Sequence, residues 1–319
     1  MKYFLVGTVL AVAALDAAPT PKSVRVIYIV SADRDENPAY TQAIRTAAVS
    51  VQEYYRQQLG GVTFRLSDPV VEVVKSDKDA SWFYGNVTHG GPDNFGYNNT
   101  LAEAQRILGT KHDDPNFVWV IYSDGPGSSG RGGGGVCIMP ENDLLGLLGK
   151  RHNYPDPRRW IGGFAHELGH AFGLDHPRDT KKHAKSLMWA GFYDYYPDGT
   201  YIGDDDKARL LKNPFFFDGS GKPVAGGWET VAKYNRRDGH IIRQRHSKTG
   251  EIQWIQSVAN GTSVITFHEL SESGGFYHLK RFGASSTFEV RLPVSGGASQ
   301  IRTRERPQWS PFENFTKVQ

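Results

Sequence analysis

The sequence predicts an α+β protein in two parts, a mixed, mostly parallel sheet packed with helices and, after it, a small all-β module. Three observations carry that expectation. Between residues 23 and 122 the chain reads strand, long helix, strand, strand, the order that winds a parallel sheet. A strong helix start follows at Asp156-Pro157, an N-cap residue with proline at the first helical position. Beyond residue 227, short alternating stretches divided by Gly- and Asn-containing turns replace helical spacing. With 319 residues, 39% hydrophobic and 22% charged, the chain can fill one large or two modest cores.

Residues 1–18, MKYFLVGTVLAVAALDAA, carry one early charge at Lys2, an apolar run from Tyr3 to Leu15 and the small residues Ala17 and Ala18. This is the pattern of a secretory signal peptide, with a short uncleaved anchor as the competing reading. The run falls short of the roughly 20 apolar residues that span a bilayer, and no later stretch approaches that length, so no transmembrane segment is expected. The chain is expected to be secreted, extracellular or periplasmic. Cys137 is the single cysteine and cannot form an internal disulfide.

A first domain is expected over residues 19–211. Ser23 to Val30 is β-rich and bounded by Pro21 and by polar residues, so it reads as a strand. Asp35, Glu36 and Asn37 precede Pro38, and helical spacing of apolar residues then runs from Tyr40 to Leu59. Val62 to Val74 reads as one or two strands interrupted at Asp68-Pro69, and the nearly all-apolar Asn116 to Tyr122 as a central, doubly buried strand. The glycine-rich Gly125 to Gly135 lacks the G-K-[ST] or G-x-G-x-x-G grammar of a phosphate loop, and neither nucleotide nor nucleic acid is an expected partner. The helix opened by Asp156-Pro157 is expected to run through Trp160 and Phe164 to Phe172.

That helix carries His166-Glu167-Leu168-Gly169-His170-Ala171-Phe172-Gly173-Leu174-Asp175-His176, which reads H-E-x-x-H-x-x-G-x-x-H. Residues four apart share a helix face, so His166 and His170 can offer two imidazole nitrogens to one metal ion. Glu167 is placed to take a proton from a metal-bound water without being a ligand. Gly173 permits the positive φ that ends the helix, and His176 then returns as a third ligand. Three protein ligands leave the fourth position of a zinc ion open, the arrangement of a catalytic site. Two ordinary core histidines would need neither Glu167 nor the glycine at these spacings. His152 and His183 flank the motif and read as surface or supporting histidines.

These eleven residues resemble the long zinc-binding motif of the metzincin clan of metallopeptidases, nearest in flavour to its matrixin-like members. Met188, in Ser186-Leu187-Met188, resembles the methionine of the clan's Met-turn, an apolar floor beneath the imidazoles, against the plain alternative of a gap-filling core methionine. The resemblance implies a zincin fold, one catalytic Zn2+ held by His166, His170 and His176, and Glu167 as the general base in hydrolysis of protein or peptide substrates. It also implies that Val136 to Met139 is the antiparallel edge strand bordering the cleft, and that Trp189 to Tyr201 walls a specificity pocket, plain core packing being the other reading of that stretch. The sequence departs from the pattern at Ala190, where several families of the clan place a tyrosine; Tyr193, Tyr195 and Tyr196 follow, and the motif assigns none of them that role.

Asp204 to Leu211 begins with acids suited to a helix N-terminus and matches the clan's C-terminal helix. A calcium site from Asp204, Asp205 and Asp206 is the alternative to a solvated helix start. Residues 212–227 lack periodicity and read as a linker, and 228–319 as an all-β accessory module, barrel or sandwich, with strands at His240 to His246, Glu251 to Val258, Ser263 to Leu270, Phe276 to Arg281, Thr287 to Leu292 and Gln300 to Glu305. From Trp228 onward, 13 Lys and Arg stand against 8 Asp and Glu, in a chain whose net charge is only +3. That excess suits an anionic cell-surface polymer as partner, ordinary solvated charge being the simpler account. A secreted zinc-dependent endopeptidase is the expected function. Its rivals are a surface- or glycan-binding protein with a degenerate zinc domain, against which the intact Glu167 argues, and a zinc amidase acting on cell wall.

Overall fold

The computed structural model describes residues 22–87, 91, 94–217, 221, 222, 224, 228–237, 239–246, 250, 252–258, 264–281, 288–303 and 305–318. The leader expected over residues 1–18 lies outside them, as do parts of the expected linker and the Asn260-Gly261 turn that the sequence suggests between the strands ending at Val258 and starting at Ser263.

Alternation decides the first half. In β1 (Ser23–Val30), Val24, Val26, Tyr28 and Val30 point to one face of the sheet, while Ile27 and Ile29 point to the other. Two buried faces demand cover on both sides. The face of Tyr28 packs against α1 (Pro38–Gln58) and α4 (Pro157–Ala171), and the face of Ile27 packs with Leu101 and Ala104 of α2 (Phe95–Leu108). The sheet runs β2-β1-β3-β5-β4, with β2 (Leu66–Lys75), β3 (Phe117–Ser123), β4 (Arg131–Gly133) and β5 (Val136–Met139). All neighbours are parallel except β4, which is antiparallel to β5. The expected mixed, mostly parallel sheet is therefore present.

Several expectations need correction. Val136–Met139 is not the antiparallel edge: it lies parallel to β3 inside the sheet, and the edge is the three-residue β4 within the glycine-rich loop. Val136–Met139 is buried throughout, which an edge beside a cleft would not need to be. The stretch read as one or two strands is the single strand β2, whose pairing with β1 skips from Leu66 to Val71. Pro69 falls in the skipped part, where its missing N–H leaves no ladder bond unmade. Helices α2 and α3 (Glu141–Leu147) have no counterpart in the sequence expectation. The segment read as a linker contributes Phe216, fully buried among Tyr55, Phe64 and Phe172. Beyond α5 (Gly191–Asp194), α6 (Asp204–Leu210) starts with the three acids as expected.

The C-terminal part is a closed antiparallel barrel of eight strands, β6 (Trp228–Arg236), β7 (Gly239–His246), β8 (Ile252–Val258), β9 (Val264–Ser273), β10 (Phe276–Arg281), β11 (Glu289–Pro293), β12 (Gly297–Arg302) and β13 (Ser310–Lys317). Each strand pairs with its sequence neighbours, and β13 closes on β6 through Thr316–Asn235 and Lys317–Tyr234. Six of the strands match the sequence expectation, whereas β6 and β13 have no counterpart in it. The interior is filled by Tyr234, Trp254, Phe267, Tyr277, Leu279 and Leu292. The outer face of β8 meets the first half, where Gln253 lines a small cavity with Glu53, Tyr54, Tyr196 and Pro197, and Arg281 pairs with Asp198. No helix among the described residues is long and apolar enough to cross a membrane.

Candidate metal centre

Helix α4 starts where the sequence places it. Asp156 is the N-cap, its side chain accepts from the Arg158 N–H at 3.0 Å, and Pro157 opens the first turn. One turn of this helix carries His166 and His170. After Ala171 the chain reverses at Gly173, with φ +88°, a conformation that L side chains rarely adopt. Gly173 N–H donates to the His170 carbonyl and Leu174 N–H to the Gly169 carbonyl, which fixes the reversal and brings back His176.

The three imidazoles converge. Nε2 of His170 is 3.1 Å from Nε2 of both His166 and His176, and the remaining pair is 3.4 Å apart. The opposite ring nitrogens are tied to carbonyls: His166 Nδ1 lies 2.6 Å from the Leu187 oxygen and His170 Nδ1 2.8 Å from that of Leu174. A carbonyl only accepts, so each Nδ1 carries the proton and each Nε2 presents a lone pair. Burial pushes the His166 pKa down to about 3, and burial also lowers that of His170, so both rings are neutral near pH 7. Lone pairs facing one another repel unless a cation sits between them. Ligand nitrogens at 2.0–2.1 Å in a tetrahedral sphere lie about 3.3 Å apart, which is the spacing of this triad. An imidazole set of this kind suits zinc, copper, iron or nickel rather than calcium or magnesium. The residues fit a metal ion.

Glu167 is not part of the converging group, which consists of His166, His170 and His176 alone. Burial first and the nearby Asp143 second push its carboxyl up to about 8, against a hydrogen bond from the Gly132 N–H and the positive charges of Arg131 and Arg159. Strand β4 crosses α4 at this point. A Cβ on Gly132 would come within 1.8 Å of the Glu167 carbonyl oxygen, so only glycine lets the edge strand lie this close. Asp143, on α3, is buried behind the site, and burial raises its carboxyl to about 7 while Arg159 opposes the shift.

Met188 is fully buried, and its Sδ occupies the space over Gly169, the residue before His170. Its neighbour Leu187 supplies the carbonyl that orients His166. The turn at 186–188 thus braces helix α4 at His166 and Gly169. Of the three tyrosines left open, Tyr196 is buried against Tyr54, Tyr195 is exposed beside Lys185, and Tyr193 stacks on Phe192. The aromatic rings that touch the converging imidazoles are Phe192, 4.6 Å from the His166 ring, and Trp189, 5.3 Å from that of His176. His183 bonds Tyr201 and stands apart from the triad, and the carboxylates of Asp204, Asp205 and Asp206 do not converge on one point. Asp143 and Arg159 are the site residues that sequence reasoning missed. Arg159 had a legible signal, since Arg159, Gly163, His166 and His170 follow one another at helical spacing.

Neither protein-family models nor curated proteins match the chain. Among solved structures, wild-type OgpA from Akkermansia muciniphila aligns with a TM-score of 0.44 at 18% identity, covering 77% of this chain and 92% of that one. Catalytically inactive OgpA in complex with an O-glycopeptide substrate aligns with a TM-score of 0.44 at 16% identity, covering 77% of this chain and 93% of that one. The chemistry open to the site follows from its own geometry.

Proposed function

We propose that the chain is a secreted, zinc-dependent endopeptidase of metzincin type, with the leader pattern of residues 1–18 directing its export. The observation that carries the proposal is the convergence of three imidazoles, with Nε2 atoms 3.1–3.4 Å apart, beside the Glu167 carboxyl one residue from the first of them. The H-E-x-x-H-x-x-G-x-x-H grammar, the reversal at Gly173 and the buried Met188 support the clan. Among the metals that an imidazole set suits, zinc is assigned from the resemblance of H-E-x-x-H-x-x-G-x-x-H to the clan's zinc motif.

Zinc, when bound, supplies Lewis acidity to a peptide carbonyl and lowers the pKa of a coordinated water toward ~7. The remaining work belongs to the chain. Glu167 accepts a proton from the attacking water and delivers it to the leaving amine, acting first as base and then as acid. Its surroundings withdraw it from water, which makes it a stronger base than a surface glutamate. The carbonyls of Leu187 and Leu174 keep the lone pairs of His166 and His170 aimed inward. Strand β4 ends the sheet, and its outer edge can hold an extended peptide by backbone hydrogen bonds, with the glycines keeping that peptide close to α4.

The test is cleavage of casein and of quenched fluorescent peptides by the purified chain. Hydrolysis abolished by chelator and restored by zinc is the expected result. Hydrolysis that persists in chelator, or a zinc-loaded chain that cuts no peptide, overturns the proposal. His176→Ala is expected to weaken zinc affinity by at least about 100-fold, since even the outer partners of metal ligands are worth 10–100-fold.

A further inference from the structure

The stripe of α4 that carries His166 and His170 continues toward the helix start through Gly163 to Arg159. Gly163 leaves room there: a Cβ at that position would lie 3.2 Å from Arg159 Nη1, so the guanidinium folds back over Gly163 toward the metal ligands. About one helical turn, 5.4 Å, separates Gly163 from His166 on this face, and His170 lies a further turn along. Phe192 links the two ends, with its ring 4.6 Å from the His166 imidazole and 5.1 Å from Arg159 Cζ. The positive charge is felt at His166, Glu167 and Asp143 alike.

Four aromatic rings enclose this guanidinium. Its Cζ lies 4.3 Å from the ring of Tyr193, 4.6 Å from Trp160, 5.1 Å from Phe192 and 5.3 Å from Tyr154. Stacking fixes the plane of the group through its faces and leaves the N–H donors at its edge unspent. Nε is buried without a hydrogen-bond partner, and no ion pair forms to Arg159 among the described residues. Tyr154 and Tyr193 are exposed, so the box opens to solvent. An aromatic-walled cation with free edge donors is shaped for a planar anion, which a carboxylate meets with two parallel hydrogen bonds. A neutral side chain leaves those donors unmatched, and a basic one is repelled.

We propose that Arg159 determines specificity by pairing with the side-chain carboxylate of the residue flanking the scissile bond, so that the enzyme cuts beside Asp or Glu. This rests on the peptidase reading given above. Arg159 touches substrate only through that side chain and takes no part in the proton transfers.

The experiment compares matched peptides that differ only in Glu, Gln or Lys on each side of the cleaved bond. The zinc-loaded chain is expected to give a kcat/KM ratio of Glu over Gln of about tenfold or more at one flanking position. Arg159→Gln brings that ratio near one, Arg159→Lys retains part of it, and Arg159→Glu inverts the choice toward Lys, each variant being checked for one zinc per chain. A wild-type ratio near one, or a ratio that survives in Arg159→Gln, overturns the proposal. A purely structural role for Arg159 would lower all peptides together and leave the ratio unmoved. Fluorescence anisotropy of the same labelled peptides on Glu167→Ala separates the two readings. Charge-selective binding lost on adding Arg159→Gln, without cleavage by the parent chain, sinks the peptidase reading and keeps only the pairing of Arg159 with a peptide carboxylate. Cleavage without charge selection does the reverse.

Discussion

Glu167 and Asp143 in the sheet-and-helix half, and Glu269 in the barrel, are all withdrawn from water, but they are held in opposite ways. At the first two, burial outweighs the surrounding charges and raises the carboxyls to about 8 and about 7. At Glu269 burial acts in the same direction and loses. Arg243 donates to both of its oxygens at 2.8 Å and Trp254 Nε1 to one of them at 2.8 Å, so its carboxyl stays below the ordinary value. Asp143 instead keeps one buried oxygen without a partner. The barrel spends its partners on satisfying a charge, whereas beside the three imidazoles Asp143 keeps an unpartnered oxygen and Glu167 accepts from the Gly132 N–H with no cation paired to it among the described residues. Unsatisfied buried acids cost stability and are retained where chemistry needs them.

The largest effect tests the reactive side of that comparison. Glu167→Ala is expected to lower kcat about 10²–10⁴-fold, or below detection, while elemental analysis still finds one zinc per chain. Loss of the metal together with the activity would make Glu167 a ligand.

In the barrel the equivalent change strikes structure. Glu269→Ala leaves the part-buried Arg243 without its carboxylate, at a cost of up to about 3 kcal/mol. The barrel should melt earlier while zinc content is unchanged. If the variant loses its zinc as it loses the barrel, the two halves unfold as one unit and the contrast between them has no separate meaning.

Asp143 gives a prediction with a sign. The folded carboxyl titrates near 7, above the 3.8 of an ordinary aspartate, so the folded chain holds that proton more tightly than the unfolded one. Stability from this group is complete below about pH 4 and is lost as pH rises through 7. Asp143→Asn never ionises, so it should raise the urea midpoint of the metal-free chain at pH 8 and do nothing at pH 4 or below. The gain is about 1.4 kcal/mol for each pH unit that separates the carboxyl's folded and unfolded midpoints. An equal gain at both pH values would show that shape, not charge, is responsible.

The smallest effect lies between the halves. Arg281 and Asp198 form a partly exposed pair, and Arg281→Ala should cost under about 1 kcal/mol by thermal melting. A larger loss would mean that the barrel braces the Tyr196-Pro197 loop beside α5.

How much of this was legible follows from what each feature depends on. Local grammar was readable: the alternation of Ser23–Val30, the cap at Asp156-Pro157, the return of His176 after Gly173 and the hairpins of the barrel all lie within a few residues of their causes. Features set by distant partners were not. Arg131–Gly133 has no strand propensity and becomes an edge only because β5 and α4 lie beside it. Ser310–Lys317 begins beside a proline and is a strand because β6, some 80 residues earlier, closes the barrel on it. Phe216 looked like part of a linker, since nothing nearby announces that Tyr55, Phe64 and Phe172 wait for it. At the candidate metal centre the convergence of the three imidazoles was legible in their spacing, but Asp143 arrives from another helix and had no local signal at all.

The most direct test of the central claim is X-ray absorption at the zinc edge of the loaded chain. Three imidazole nitrogens at 2.0–2.1 Å with one further light atom, the open three-histidine site, is the predicted first shell. A shell containing the Cys137 sulfur, or four protein nitrogens with no open position, would contradict it.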